Sequence, residues 1–169
     1  YIFRTNTSSF INLKKLEAYI NENQNNLDYS GVVLDTKQQI KIASGAGYFI
    51  SRKNIELIIN NKDKFDINLP DDVAVAKLLK ENNILPINTI REDLNEATTP
   101  KDLMKALKPQ NLLNSNHFHY RCRLDPHFHR ILEPTLFKYM NLVFSLNNTI
   151  LKDILYIGIL ILFNLSNLK

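Results

Sequence analysis

Two adjacent carboxylates, Asp71 and Asp72, are the side chains of this sequence best placed to do chemistry. They follow Pro70 and begin an aliphatic stretch, so we expect them in the first turn of a helix. A carboxylate there meets unpaired backbone N–H groups and the positive end of the helix dipole. Such an acid either caps the helix or, when held next to a substrate hydroxyl, accepts its proton as a general base. The residues alone leave both interpretations open.

A glycine-rich segment precedes these acids and consists of Ser44, Gly45, Ala46, Gly47 and Tyr48. Without a Cβ, a glycine lets the backbone turn sharply or approach another molecule closely. We therefore predict a turn here. Short strands at 32–34 and 40–42 should form a hairpin that leads into it, and the segment after it should be a strand followed by a helix capped by Ser51.

The order S-G-x-G-Y-x-x-S-R, then a polar gap, then acid-D-V and an aliphatic helix resembles the C-terminal half of Fringe-like and β-1,3-galactosyltransferase-type glycosyltransferases. The resemblance implies an α/β fold of the GT-A (Rossmann-like) type, with a mixed sheet and C-terminal helices. It also implies transfer of a sugar from a nucleotide-sugar donor to a hydroxyl of a glycan or protein acceptor. Asp72 would be the catalytic base, and the glycine-rich segment, with Asp71 and Arg52, would line the substrate cleft.

Members of that family hold a divalent metal with an acidic cluster that precedes an aromatic-aliphatic-N-L sequence. Matching Phe10 to Leu13 with that sequence places Asn6, Thr7 and Ser8 where the acids would be. Hard divalent cations prefer carboxylate oxygens, so metal dependence is not expected to be strong. Either Arg4 or Arg52 could supply the positive charge to a diphosphate instead. The alternative is a non-catalytic carbohydrate- or protein-binding module on a scaffold that has lost its metal cluster.

All four histidines and the single cysteine lie within residues 117–130. The pairs 117/119 and 127/129 with Cys122 could form a tetrahedral zinc site. The family resemblance instead implies that His117 or His119 contacts a metal or diphosphate, with Arg121 on a phosphate-facing edge. A third interpretation is an edge strand with exposed polar side chains, because alternate residues of a strand share a face. The three interpretations remain open.

The composition excludes several classes of protein. The net charge of +4 is mild and its basic residues are scattered, which does not indicate nucleic-acid binding, and a single cysteine excludes an internal disulfide. The apolar run 154–163 is too short to span a membrane, so it predicts a terminal packing helix or, alternatively, an interfacial helix at the membrane periphery.

For domain organisation, we predict that residues 1–130 form the C-terminal part of a glycosyltransferase domain and that 131–169 form a helical extension. The resemblance also implies that the strands which bind the nucleotide base precede Tyr1. On that expectation the chain would not turn over a nucleotide-sugar by itself.

Overall fold

The computed structural model describes residues 1–37, 39–95, 100–123 and 133–166. The fold is α/β with mixed sheets, as the sequence predicts, and it divides into two units. Unit 1 comprises Tyr1–Ser9 and Leu16–Arg91, and unit 2 comprises Phe10–Lys15 and Glu92–Lys169. The predicted extension 131–169 thus lies in the same unit as the strands that precede it.

The bounds of the strands and helices follow the chain. The strands are β1 (Ile2–Thr5), β2 (Ser9–Ile11), β3 (Tyr29–Asp35), β4 (Lys41–Ile50), β5 (Ile87–Asn88), β6 (Glu92–Asn95) and β7 (His119–Arg123). The helices are α1 (Leu13–Glu22), α2 (Arg52–Asn60), α3 (Asp71–Glu81), α4 (Pro100–Ala106), α5 (Pro109–Asn114), α6 (Glu133–Ser145) and α7 (Thr149–Ser166).

Unit 1 is built on a four-stranded sheet in the order β1-β4-β3-β5, in which β4 is antiparallel to both neighbours and β3 is parallel to β5. The predicted hairpin is confirmed as β3 and β4. The predicted capping of α2 is also confirmed, because Ser51 Oγ accepts a hydrogen bond from the Asn54 N–H.

Helix α3 begins at Asp71, directly after Pro70, and buries Val75 and other aliphatic side chains in the core that covers the sheet. Burying such a side chain stabilises the fold by about 1.5–3 kcal/mol.

The predicted turn at 44–47 is wrong, because these residues lie inside the ten-residue strand β4. What they form is a bulge. Ala43 pairs with Val33 and Tyr48 pairs with Gly31, so four residues of β4 face a single residue of β3. None of the described glycines has a positive φ, so the backbone here does not require a left-handed conformation. Bulges bend a strand and re-aim its groups, and they are enriched beside functional sites.

Unit 2 is built on the sheet β2-β7-β6, with β6 and β7 parallel. The interpretation of residues 117–121 as exposed positions on an edge strand is wrong, because β7 is the central strand and His119 is only 3% exposed. Helix α4 ends before Pro109, and Pro109 begins α5, because a proline without an N–H fits the first turn of a helix. The core of this unit comes from α4 to α7 and both parallel strands, and it includes Leu94, Leu107, Leu112, Tyr120, Cys122, Leu136, Tyr139, Met140 and Val143.

The last helix, α7, has two different sides. Ile159 belongs to the buried core of unit 2, which agrees with a packing helix. The opposite side exposes Ile150, Ile154, Ile157 and Ile161 at helical spacing. Within the ranges that the structure describes, no helix has both the length and the apolar character needed to cross a membrane.

Candidate functional site

The carboxylate of Asp72 lies against the bulge of β4. Its Oδ2 accepts a hydrogen bond from the Gly45 N–H at 2.8 Å, and its Oδ1 accepts one from the Val73 N–H at 3.0 Å. The first bond joins α3 to β4. The Gly45 N–H needs such a partner, because a bulged residue lies outside the hydrogen-bond ladder of the strand. The second comes from the first turn of α3, where N–H groups have no partner within the helix. Asp72 is therefore both a brace for the bulge and a carboxylate held in one orientation.

The guanidinium of Arg4 also lies against this bulge. It donates to the Gly45 carbonyl oxygen and to the Asp71 carboxylate, and it lies 5.6 Å from the centre of the Tyr48 ring. Arg4 reaches this place because it pairs directly with Tyr48 across β1 and β4. The sequence-predicted residues Arg4, Asp71 and Asp72 are thus brought together beside Gly45.

The absence of a Cβ at Gly45 makes room for this convergence. A Cβ at position 45 would stand 2.8 Å from Asp72 Oδ2 and 3.0 Å from Arg4 Nη1. Contacts that short require the ends of these two side chains to move. The close approach predicted for the glycine-rich segment does occur, and the groups that approach belong to the same chain.

Tyr48 and Ser44 complete the cluster in unit 1. Burial raises the pKa of the Tyr48 phenol; Arg4 opposes this shift, while Asp71 and Asp72 add to it. The phenol therefore stays neutral and can donate a hydrogen bond at neutral pH. Ser44 is buried and its Oγ accepts a hydrogen bond from Arg91 Nη1 at 3.1 Å. Ala46 lies between them, and its carbonyl oxygen accepts from the Thr5 hydroxyl at 3.0 Å.

The residues matched to the family's metal cluster do not form a cation site. Ser9 Oγ donates to Asn6 Oδ1 at 2.9 Å and lies 3.2 Å from the Ala46 carbonyl oxygen, while the Asn6 N–H points to the same carbonyl. Ser8 is buried. This segment offers amide and hydroxyl oxygens already engaged with each other, and a divalent cation prefers carboxylates. The donor set at Asn6, Thr7 and Ser8 does not fit such a metal.

Arg52 does not join the cluster. It is the first residue of α2, its side chain is 89% exposed, and it forms an ion pair with Glu56 one helical turn later at 2.8 Å. Of the two arginines proposed to carry positive charge into the site, Arg4 is the one that lies beside Asp71 and Asp72.

The histidine-rich segment lies in unit 2 and only part of it is described. His117 Nδ1 lies 2.8 Å from Ser115 Oγ and 3.5 Å from Glu92 Oε2, and His119 is buried. Arg121 forms an ion pair with Asp93 across β6 and β7, at 3.7 Å.

Two further members of the predicted zinc site, at positions 127 and 129, lie outside the described residues. Burial raises the pKa of the Cys122 thiol to about 12, and the Glu133 carboxylate adds to this shift, so the thiol is neutral. Within the described ranges, no group of three or more histidine, cysteine and carboxylate side chains is arranged to hold a metal ion.

Arg91 is the site residue that sequence reasoning missed. It lies 47 positions from Ser44, in a segment with no recognisable motif, so no local signal could have found it. Comparison of the chain with known protein families, with curated proteins and with solved structures finds no match.

Proposed function

We propose that this chain is the acceptor-side part of a GT-A-type glycosyltransferase that transfers a sugar from a nucleotide-sugar to a hydroxyl group. The observation that supports this is the convergence of Asp72 and Arg4, two candidate residues far apart in sequence, on the backbone N–H and carbonyl groups of Gly45 in the bulge. A transferase of this kind needs a fixed carboxylate and a fixed cation near one another, and this cluster offers both.

Asp72 is the base in this proposal. Two N–H groups hold its carboxylate, one on each oxygen, and each oxygen keeps a lone-pair position for another hydrogen. The acceptor hydroxyl gives its proton to Asp72 while its oxygen bonds to the sugar's anomeric carbon. The bond from that carbon to the diphosphate oxygen breaks, and its electron pair leaves with the diphosphate.

Arg4 supplies the charge that faces the departing diphosphate. Its guanidinium is held by the Gly45 carbonyl and Asp71, and its side chain remains 36% exposed. Guanidinium groups pair well with phosphate oxygens, in a charge-assisted and often bidentate manner. Arg4 rather than a divalent metal supplies this positive charge, because residues 6–8 do not fit such a metal.

The deciding experiment compares Asp72→Asn with Asp71→Asn in the full-length protein, using a panel of nucleotide-sugars and acceptors. The amide introduced by Asp72→Asn would retain an oxygen that accepts from the Gly45 N–H but would not take a proton. Loss of a positioned base lowers the rate by about 10²- to 10⁴-fold. Asp71→Asn should keep much of the activity. Equal activity in the two variants would refute the role of Asp72.

A chelator tests whether transfer requires a metal, independently of the role of Asp72 as the base. We expect transfer, and binding of nucleoside diphosphate measured by calorimetry, to persist in EDTA. A strict metal requirement would show that ligands come from elsewhere, with His117 and His119 as the first residues to test.

One observation favours a second candidate, a non-catalytic carbohydrate- or protein-binding module. Asp72 already serves as a brace of the bulge, and the hydroxyls of Thr5 and Ser9 are engaged with the Ala46 carbonyl. These contacts stabilise a scaffold without requiring catalysis. Saturable glycan binding by the full-length protein, with no transfer from any donor of the panel, would favour this candidate over the transferase.

A further inference from the structure

A separate cavity of about 290 Å³ opens within unit 2, among α4, α5, β6 and β7. Its walls combine acidic, basic, amide and hydroxyl side chains with an apolar surface of at least similar extent. The polar lining residues are Glu92, Asp102, Lys105, Asn111, Ser115 and Tyr120. None of them has a part in the sugar-transfer proposal, so ligand binding in this cavity does not depend on that proposal.

The polar groups of this cavity include both acceptors and donors. The carboxylates of Glu92 and Asp102 are acceptors and the Lys105 ammonium is a donor. The Ser115 hydroxyl is partly engaged by His117, and the Tyr120 hydroxyl donates to the Leu112 carbonyl oxygen at 3.5 Å. A ligand hydroxyl is itself a donor and an acceptor, so it needs partners of both kinds. The adjoining Ala106 and Leu112 give an apolar wall for C–H groups.

Local hydrogen bonds hold the polar wall in place. Ser115 Oγ accepts from the His117 N–H at 3.0 Å and lies 2.8 Å from His117 Nδ1. The Glu92 carboxylate approaches the same imidazole nitrogen at 3.5 Å, and Glu92 stands opposite Tyr120 in the parallel pair of strands. The carboxylate therefore has a fixed direction at the edge of the cavity.

The helices around the cavity are also anchored by distant donors. Lys15 Nζ donates to the Leu112 carbonyl oxygen at 3.0 Å, and the Tyr139 hydroxyl donates to the Leu107 carbonyl oxygen at 2.6 Å. Both acceptors lie at or near helix C-termini, where carbonyl groups have no partner within the helix. A cavity whose walls are already ordered loses less conformational entropy when a ligand binds.

Size and charge then select the ligand. Small-molecule sites usually measure about 300–1,000 Å³, so this cavity suits a ligand at the small end of that range. Two carboxylates against one ammonium disfavour a phosphate or another anion. We propose that the cavity binds a neutral, hydroxyl-rich ligand the size of a single sugar ring.

The test is a titration of the ¹⁵N-labelled full chain, followed by NMR, with glucose, galactose and N-acetylglucosamine as separate probes. A ligand of this size that gains roughly 0.3 kcal/mol per heavy atom binds in about the millimolar range. We expect at least one of these neutral sugars to shift the amide signals of Ser115 and Tyr120 saturably. Inorganic phosphate should not shift them.

Matched variants test whether the sugar binds in this cavity. Glu92→Gln removes a charged acceptor at constant size and should weaken binding about tenfold or more. Asn111→Ala removes an exposed amide of the lining that donates to the Lys105 carbonyl oxygen at 2.6 Å, and should also weaken binding. Asp153→Asn, an exposed acid of α7 that does not line the cavity, is the matched control and should leave binding unchanged.

Four results would overturn the proposal. The first is the absence of saturable shifts with all three neutral sugars. The second is a response to phosphate. The third is a response confined to glucosamine, tested as an additional cationic probe, because that would identify an ammonium site. Unchanged sugar binding in both Glu92→Gln and Asn111→Ala would also contradict it, by placing the ligand elsewhere.

Discussion

The Asp72 carboxylate accepts a hydrogen bond from the Gly45 N–H at 2.8 Å, across 27 positions of the chain. This bond joins the first turn of α3 to the bulge of β4. It links the identities of Gly45 and Asp72, because the Asp72 carboxylate occupies space that a Cβ at position 45 would fill. The pair is the structural centre of the candidate site in unit 1.

Replacement of Gly45 by alanine should destabilise the protein. The new Cβ would stand 2.8 Å from Asp72 Oδ2, so the carboxylate must leave the Gly45 N–H or the strand must shift. We expect a loss of about 1–3 kcal/mol in the free energy of unfolding, measured by urea denaturation.

Gly158→Ala is the matched control for that substitution. Gly158 lies in α7, and a Cβ added there would meet no neighbouring side chain or segment within 4 Å. Alanine should therefore raise stability by about 0.5–1 kcal/mol through helix propensity. If both variants changed stability in the same direction, the steric explanation for Gly45 would fail.

Asp71 and Asp72 should differ in stability as well as in activity. Asp71 is 65% exposed and forms an ion pair with Arg4, and exposed pairs contribute only about 0–1 kcal/mol. Asp72→Ala leaves the Gly45 N–H without its acceptor and should cost about 1–3 kcal/mol. Thermal unfolding at low and high salt checks this, because screening should diminish only the smaller effect of Asp71→Ala. A larger loss of stability in Asp71→Ala than in Asp72→Ala would contradict the assignment of Asp72 as the residue that supports the bulge.

Tyr29 should make the protein sensitive to alkaline pH. Its hydroxyl accepts a hydrogen bond from the Ala43 N–H, and burial raises its pKa from 10 to about 12. Because the folded pKa exceeds the unfolded one, this stabilisation is complete below pH 10 and is lost as pH rises through about 12. The unfolding free energy of the wild type should fall more steeply over this range than that of Tyr29→Phe.

The same variant should already be less stable at neutral pH, by about 1–3 kcal/mol, because the buried Ala43 N–H loses its partner. The other tyrosines are present in both proteins, so the difference between the two pH curves isolates Tyr29. Parallel curves between about pH 9 and pH 12 would argue against the assignment.

Cys122 should be unreactive in the folded protein. It is fully buried in the core of unit 2, and burial raises its pKa to about 12. The thiolate is the reactive form, so a disulfide reagent at about pH 8 should label the native protein very slowly. Addition of guanidinium should restore rapid labelling of one thiol per chain. Rapid labelling without denaturant would mean that unit 2 opens readily.

Local signals in the sequence determined much of the secondary structure. Ser51 predicted the start of α2, Pro70 with Asp71 predicted the start of α3, and short apolar runs separated by polar residues predicted the hairpin of β3 and β4. Each signal depends on residues within a few positions, because capping, proline geometry and strand propensity are local effects. The sequence also indicated Arg4, Gly45, Asp71 and Asp72 as site residues.

Only the tertiary structure decided what those residues contact. The glycines could have formed a turn, but pairing of β4 with both β1 and β3 keeps them in a strand and forces the extra residues into a bulge. Arg4 and Arg52 were equivalent in sequence, and strand register brought Arg4 to the bulge while Arg52 begins a helix. The central position of β7 and the contact of Arg91 with Ser44 depend on pairing between distant segments. Such pairing follows from packing of the whole chain, which no local pattern encodes.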